Sequence, residues 1–227
     1  MLNFKYAYLI GAIIFLIPWV ILFFFRKDYR KEMIFMSLVI GIGSLVTAYL
    51  WWTIDWWRPE TITNTRVGIE DFLLGFSNGG IAAVLYGAIH KKRLSRLIKK
   101  TNDTGAFNIC LIFFFIIASL FWGLNITSFW ASTIAMIIVA IYILYTRRDL
   151  FLNALVSGIL MVIVSLPFYY VFIWLFPGFI HKTWMSQYLS GIIIIGIPLE
   201  DLIFYFLFGL TIGPFYEYWQ NKRLVSI

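Results

Sequence analysis

The sequence predicts an all-α protein that crosses a membrane about seven times. Hydrophobic residues make up 62% of the chain and charged residues only 13%, about half the charged share of an ordinary soluble domain. The apolar residues form long segments, and basic residues cluster between those segments. We therefore interpret the formal net charge of +7 as a topology signal and not as a nucleic-acid-binding surface.

Seven segments approach the length of about 20 apolar residues that a membrane-spanning helix needs. Pro167 interrupts the sixth and Pro198 the seventh, where proline permits a kink or a new helix start. The first segment has only Lys5 before it and no small-residue cleavage site after it, so we interpret it as a span and not as a cleaved leader. The predicted spans are Tyr6–Phe25, Met33–Trp52, Val67–Ile89, Phe107–Leu124, Phe129–Tyr145, Leu150–Phe176 and Tyr188–Pro214.

The distribution of basic residues predicts the orientation of these spans. Fourteen of the 18 Lys and Arg residues fall in the connections on one side, including six between residues 91 and 100, and the other four fall on the opposite side. Cytoplasmic loops carry the excess of such residues. We therefore expect an integral protein of the plasma membrane, with its N-terminus outside and its C-terminus in the cytoplasm.

Two pairs of adjacent acids lie inside predicted spans. Glu70 and Asp71 form the first pair, and Glu200 and Asp201 repeat it 130 residues later. A carboxyl group in hydrocarbon is costly unless it is paired, protonated or facing a polar cavity, so such groups are functional candidates. The structural alternative is that these acids pair with an arginine or are favoured by the dipole at a helix N-terminus.

The acid pairs belong to an internal repeat. Arg26 and Asp28 correspond to Arg147 and Asp149 at an offset of 121 residues, and their position at the cytoplasmic surface favours a structural role. We therefore predict two parallel three-helix repeats joined by a linker helix, with a site at the interface between the repeats. The first repeat is predicted over residues 1–100, the linker over 101–127 and the second repeat over 128–227.

Each acid pair is followed by polar or aromatic residues on the same predicted helix. Neighbouring residues on a helix point about 100° apart, so one acid of each pair faces a cavity while the other supports it. Burial among aromatic rings favours a protonated carboxyl group, which can act as a general acid. Tryptophans at such positions are suited to an interfacial belt or to stabilising a cation. The expected substrate-binding residues are Asn78, Phe204, Tyr205, Trp56 and Trp57.

Other kinds of site lack their sequence signatures. His90 and His181 share no metal-ligand spacing, Cys110 is the only cysteine, and no acids have the Asp spacing of a magnesium–diphosphate site. There is no Gly-rich nucleotide fingerprint, and no lysine lies within a span to carry retinal. We therefore expect neither a metal nor a cofactor.

The segment 197–201, with segment 68–71 as its counterpart, resembles the lycopene cyclase domain family of small membrane-integral carotenoid cyclases. That family carries a Pro-x-Glu-Glu/Asp motif on a three-helix unit, with two copies in its fused members. Pro198 matches the motif, whereas the first copy has Gly68 in place of proline, and both copies end in Asp where many members have Glu. The resemblance also includes residues 213–219 and covers nearly the whole chain.

The resemblance implies non-redox ring closure at the ends of lycopene, with an apolar carotenoid or isoprenoid substrate, a bilayer environment and no cofactor. A protonated carboxyl group protonates the terminal alkene, the neighbouring double bond attacks the tertiary cation, and a carboxylate removes a proton. We expect Glu70 or Glu200 to be the acid, with Asp71 and Asp201 orienting it or acting as base. Accordingly, Glu200→Gln is expected to abolish cyclisation without preventing membrane insertion.

Three alternatives stay open at this point. A carotenoid hydratase shares the protonation step and differs only in capturing the cation with water. Another isoprenoid-modifying membrane enzyme would use the same acids on a different substrate. A non-catalytic protein that binds lipid or couples proton movement to transport would bury the same acids for another purpose.

Overall fold

The computed structural model describes residues 4–96 and 105–226. Lys99, Lys100 and the predicted boundary between the first repeat and the linker lie outside the described residues. Seven long helices form the described bundle. They are α1 Ala7–Phe25, α2 Arg30–Thr47, α3 Ile69–Ile89, α4 Gly105–Ala118, α5 Ser128–Thr146, α6 Phe151–Leu175 and α7 Leu199–Ile212.

The length and composition of the helices confirm the predicted fold class, an all-α integral membrane protein. Six helical segments of the described chain are long and apolar enough to cross a membrane, and another, Phe107–Gly123, is apolar but shorter. Large apolar side chains such as Phe25 and Trp174 are exposed on the outside of the bundle. This surface suits a lipid environment, where backbone polar groups are satisfied inside helices.

The seventh predicted span begins too early. From Tyr188 the chain forms a short turn and then a hairpin, in which β2 (Ile193–Ile194) pairs with β3 (Ile197–Pro198). The backbone is left-handed at Gly196, with φ of +83°, so a continuous helix through this segment is impossible. The predicted division at Pro198 is correct, because this residue is the N-cap of α7. By contrast, Pro167 lies inside α6 without ending it.

Small residues allow α2 and α3 to pack closely. The Ser44 hydroxyl of α2 donates a hydrogen bond to the main-chain carbonyl of Asp71 at 2.7 Å. A side chain at Gly75 of α3 would overlap Ser44. Small residues are a common means of bringing helices together in a membrane. The close approach places the first turn of α3 beside the last turn of α2, which continues through a π-helical turn, Ala48–Trp52.

Two short strands pair at one end of the bundle, which we call the basic end. β1 (Lys92–Arg96) follows α3, and β4 (Lys222–Ser226) follows the short helix after α7. The strands are antiparallel, with Leu94 opposite Leu224, two residues that are 130 positions apart. The acid pairs have the same offset, so equivalent positions of the two predicted repeats meet here, as a local two-fold axis requires.

Two loops cover the opposite end, which we call the acid end. Trp57 and Trp184 form an antiparallel bridge between these loops. The Met185 N–H also donates to the Trp56 carbonyl at 2.9 Å. We call these two loops, residues 56–68 and 176–198, the roof. The roof covers the first turns of α3 and α7.

Arg26 binds the end of α3 at the basic end. It forms an ion pair with Asp28 at 2.8 Å. Its guanidinium group donates to the carbonyls of Gly87 and Ala88 at 2.9 and 2.7 Å, which lie in the last turn of α3, where carbonyls lack partners within the helix. The hydrogen bond with Asp28 also raises the pKa of Arg26. Arg26 therefore caps α3.

Arg147 repeats this arrangement in the second half of the chain. It forms an ion pair with Asp149 at 2.8 Å. It also donates to the Lys222 carbonyl at 2.8 Å and to the Glu217 carbonyl at 3.4 Å. The two arginines thus bind the chain segments that follow the two acid-bearing helices.

Replacing Arg26 with Gln is expected to destabilise the fold. The variant loses an ion pair and the hydrogen bonds that Arg26 donates to three main-chain carbonyls, and a hydrogen bond from a charged group contributes roughly 1.5–3 kcal/mol. The measurement is the fraction of protein that elutes as a folded species from size-exclusion chromatography after heating in detergent. The control is Lys27→Gln, which removes an exposed neighbouring cation. Equal stability of the two variants would contradict the capping role.

Candidate functional site

A cavity of ≈ 190 Å³ lies between the helices beneath the roof. One face of α3 and one face of α7 form opposite parts of its wall. The lining residues are spaced by three or four positions, as expected for one face of a helix. In α3 they are Asp71, Leu74, Gly75 and Asn78. The equivalent residues of α7, 130 positions later, also line it: Asp201, Phe204, Tyr205 and Phe208. Thr211 and Ile212 continue the α7 face toward the basic end.

The two aspartates face this cavity, whereas the two glutamates do not. Asp71 and Asp201 line the wall, and Glu70 and Glu200 lie outside the set of lining residues. All four side chains belong to residues that are at most 3% exposed. Adjacent residues on a helix cannot point the same way. Phe204 accordingly shares its face with Asp201, at i+3.

Each glutamate accepts a hydrogen bond from the roof. The Ile62 N–H donates to Glu70 Oε1 at 2.6 Å, and the Ser190 N–H donates to Glu200 Oε1 at 2.5 Å. The second oxygen, Oε2, is buried in both residues and has no hydrogen-bond partner among the described residues. The glutamates therefore attach the roof to the first turns of α3 and α7.

Asp71 accepts two hydrogen bonds. The Tyr8 hydroxyl of α1 donates to Oδ1 at 2.8 Å, and the Gly68 N–H donates to Oδ2 at 2.9 Å. The second bond is the backbone half of a capping box at the start of α3. A side chain at Gly68 would overlap Glu70 and Thr61, which explains the glycine in this copy. Hydrogen bonds donated to a carboxylate stabilise its ionised form.

Asp201 lacks the equivalent capping bond. The position that corresponds to Gly68 is Pro198, and proline has no N–H to donate. Asp201 Oδ2 is buried without a hydrogen-bond partner in the described part of the chain. The two copies of the acid pair therefore differ by one main-chain donor.

Polar aromatic side chains surround the Asp201 carboxyl group. The Tyr169 hydroxyl of α6 and the indole groups of Trp56 and Trp184 of the roof lie beside it. The indole N–H groups of these tryptophans are buried and make no hydrogen bond to any described residue. Asp201 therefore lies in an enclosed, aromatic environment.

Comparison with known families gives a consistent result. Residues 4–89 and 127–219 match the family model described as lycopene cyclase. The chain belongs to the lycopene cyclase family. Each matched segment contains one acid pair, and residues 90–126, which include α4, lie between the matched segments. No curated protein and no solved structure matches the chain.

In this lycopene cyclase family member, aromatic rings pack against one another along the cavity wall. Trp56 and Trp52 both contact Phe204 edge-on, with ring centroids 5.1 and 5.5 Å apart. Tyr205 stacks on Phe15 of α1 at 5.7 Å. The π faces of such rings stabilise a positive charge that develops between them.

All five residues expected to bind a substrate lie on the cavity wall. They are Asn78, Phe204, Tyr205, Trp56 and Trp57. Tyr8, Tyr169 and Trp184 also reach the acids and were missed by sequence reasoning. These three residues come from α1, α6 and the roof, and no motif or periodicity marks them. The pairing of Trp57 with Trp184 and the packing of the helices bring them to the site.

The histidines lie apart from the acids that line the cavity. His90 Nδ1 is 3.0 Å from the Tyr86 carbonyl at the end of α3, and His181 borders a small pocket in the roof beside Glu200. No group of three or more His, Cys, Asp or Glu side chains placed to hold a metal ion occurs within residues 4–96 and 105–226.

Proposed function

We propose that this protein closes rings at the ends of linear carotenoids such as lycopene, without oxidation or reduction. One observation carries the proposal: two buried aspartates with different hydrogen-bond donors face a single aromatic-lined cavity. Carboxyl groups in different environments are suited to separate acid and base roles. The family match supports the same class of reaction.

Asp201 is the proposed acid. Its enclosed environment disfavours a charged carboxylate, and Pro198 provides no N–H to stabilise one. Asp201 therefore holds the proton that is transferred to a terminal trisubstituted alkene. The C–H bond that forms leaves a tertiary cation beside the aromatic rings of Trp56 and Phe204, which line the cavity with Asp201.

Asp71 is the proposed base. The donors from Tyr8 and Gly68 stabilise its carboxylate form. The neighbouring double bond of the substrate attacks the cation and closes the ring, and Asp71 removes a proton from the carbon beside the new cation. The substrate gains one proton from Asp201 and loses one to Asp71, so substrate and product have equal mass. Return of the proton from Asp71 to Asp201 restores the starting state.

Glu70 and Glu200 are the proposed positioning residues of the two acid pairs. Each accepts a hydrogen bond from the roof and keeps the first turn of its helix in place. This assignment replaces the sequence-based expectation that a glutamate is the acid.

The proposed orientation places the basic end in the cytoplasm and the protein in the plasma membrane. Loops with an excess of Lys and Arg remain on the cytoplasmic side. The first turn of α3 lies beside the last turn of α2, at Ser44, so the acids lie toward the end of the bundle opposite the basic end.

Expression in bacterial cells that accumulate lycopene tests the proposed reaction. We expect a new cyclic carotene of unchanged mass, detected by chromatography and mass spectrometry of the extracted pigments. A product heavier by one water would indicate a hydratase. Unchanged lycopene beside a well-inserted protein would count against the proposal and in favour of another isoprenoid substrate or a binding role.

Two matched variants separate the roles of Asp201 and Glu200. Asp201→Asn cannot protonate an alkene, and we expect turnover to fall by about 10²–10⁴-fold, the usual contribution of a general acid. Glu200→Gln keeps an oxygen that accepts the Ser190 N–H and is expected to retain most of the activity. Carotene formation per inserted protein is the measurement. The opposite pattern would place the acid at Glu200.

Replacing Pro198 with Ala supplies the N–H that Asp201 lacks. The new donor stabilises the Asp201 carboxylate, so we expect lower activity at neutral pH and recovery at lower pH, where the carboxyl group is protonated again. The pH profile of cyclisation in isolated membranes measures this shift. Pro18→Ala, which removes a proline from α1, is the control. A profile that is the same in both variants would contradict the proposed role of Pro198.

A further inference from the structure

The helices close around the cavity differently on its two sides. α1 packs directly on α6. The corresponding pair, α5 and α2, packs mainly near the acid end, where the Trp52 indole donates to the Ser132 hydroxyl at 3.0 Å. Further toward the basic end, Val39 and Gly43 of α2 and Met136 and Val139 of α5 all line the cavity. The cavity therefore extends into the gap between these two helices.

α4 covers this gap. Ile109 and Phe113 of α4 line the cavity, and Ile109 is 3% exposed. On the opposite face of α4, Phe107 and Phe115 are 66% and 73% exposed. α4 is thus the wall between the cavity and the surrounding lipid.

The boundary between α4 and α2 is the less packed edge of this wall. α4 packs along α5. On the side toward α2, Phe114 of α4 contacts Trp51, and the centroids of these two rings are 5.9 Å apart. At Gly43 of α2, which lines the cavity, no atom lies within 4 Å of the position that a Cβ would occupy. This boundary therefore includes unfilled space at the depth of the acids.

The cavity is long in the direction of the helices. Its wall follows α7 from Asp201 to Ile212, which is about 17 Å at 1.5 Å per residue, and continues to Phe215. Val139 and Ile109 line the same wall as Phe215 at the far end. An extended apolar chain fits this shape, with one end at the acids and the rest beside α4.

We propose that α2 and α4 form a lateral channel that admits a long linear isoprenoid from the bilayer and holds its unreacted length. The inference rests on the proposed function, because it takes the acids as the reacting end. α4 belongs to the segment that the family match leaves out, so the channel is separable from the acid chemistry of the matched segments.

A substitution that fills the gap tests the channel. Gly43→Phe places a ring in space that no protein atom occupies. We expect it to reduce lycopene conversion by about 100-fold, the loss typical of a displaced reacting group. The matched control is Gly123→Phe, because Gly123 also has open space around its Cβ position but is exposed and lies off the cavity wall. Equal conversion by both variants, at equal amounts of inserted protein, would overturn the channel.

Cys110 of α4 provides a readout that does not depend on turnover. It is the only cysteine of the chain and lines the cavity, so the intact mass of the protein reports its alkylation by a membrane-permeant maleimide. In the Asp201→Asn variant, we expect lycopene in the membrane to slow this alkylation without being converted. Equal alkylation with and without lycopene, while the unaltered protein still cyclises it, would overturn the channel and leave the proposed function intact. Loss of both protection and conversion would overturn both proposals.

Discussion

Burial of carboxyl groups in a hydrocarbon environment is the constraint on which the rest of this structure depends. Each acid needs donors or an enclosed environment that favours its neutral form. Tyr8 and Gly68 supply donors to Asp71, and the roof supplies one to each glutamate. The close packing of α2 on α3 and the bridge between Trp57 and Trp184 hold these donors in place. The scaffold therefore gives three of the four acids a main-chain hydrogen-bond donor and leaves Asp201 in an enclosed environment without one.

The two acid pairs occupy equivalent positions but differ in their hydrogen-bond donors. The pairs have the same residues at the same helical positions, and both aspartates face the cavity. Gly68 donates an N–H to Asp71, whereas Pro198 has none to donate to Asp201. One main-chain hydrogen bond thus distinguishes two otherwise similar carboxyl groups.

Much of the architecture was predictable because its determinants are local. The length of the apolar segments predicted the membrane spans, and the Glu-Asp pairs marked the starts of α3 and α7. The hairpin before Pro198 was not predictable, since its isoleucines have the composition of a span and only the backbone at Gly196 reveals the turn. Whether the aspartate or the glutamate of each pair faces the cavity depends on how its helix is rotated about its own axis. Packing against neighbouring side chains such as Ser44 sets this rotation, and the periodicity of the sequence does not specify it.

The pairing of β1 with β4 bears on the origin of a bundle of this kind. Leu94 lies opposite the residue that occupies the same position in the other half. Such a strand is complementary to a copy of itself, as the two surfaces of a symmetric dimer are. A single three-helix unit with this strand already has an edge on which a second identical unit can assemble. Joining two units into one chain then requires no new interface between them. The segment that connects the units can therefore acquire a separate function.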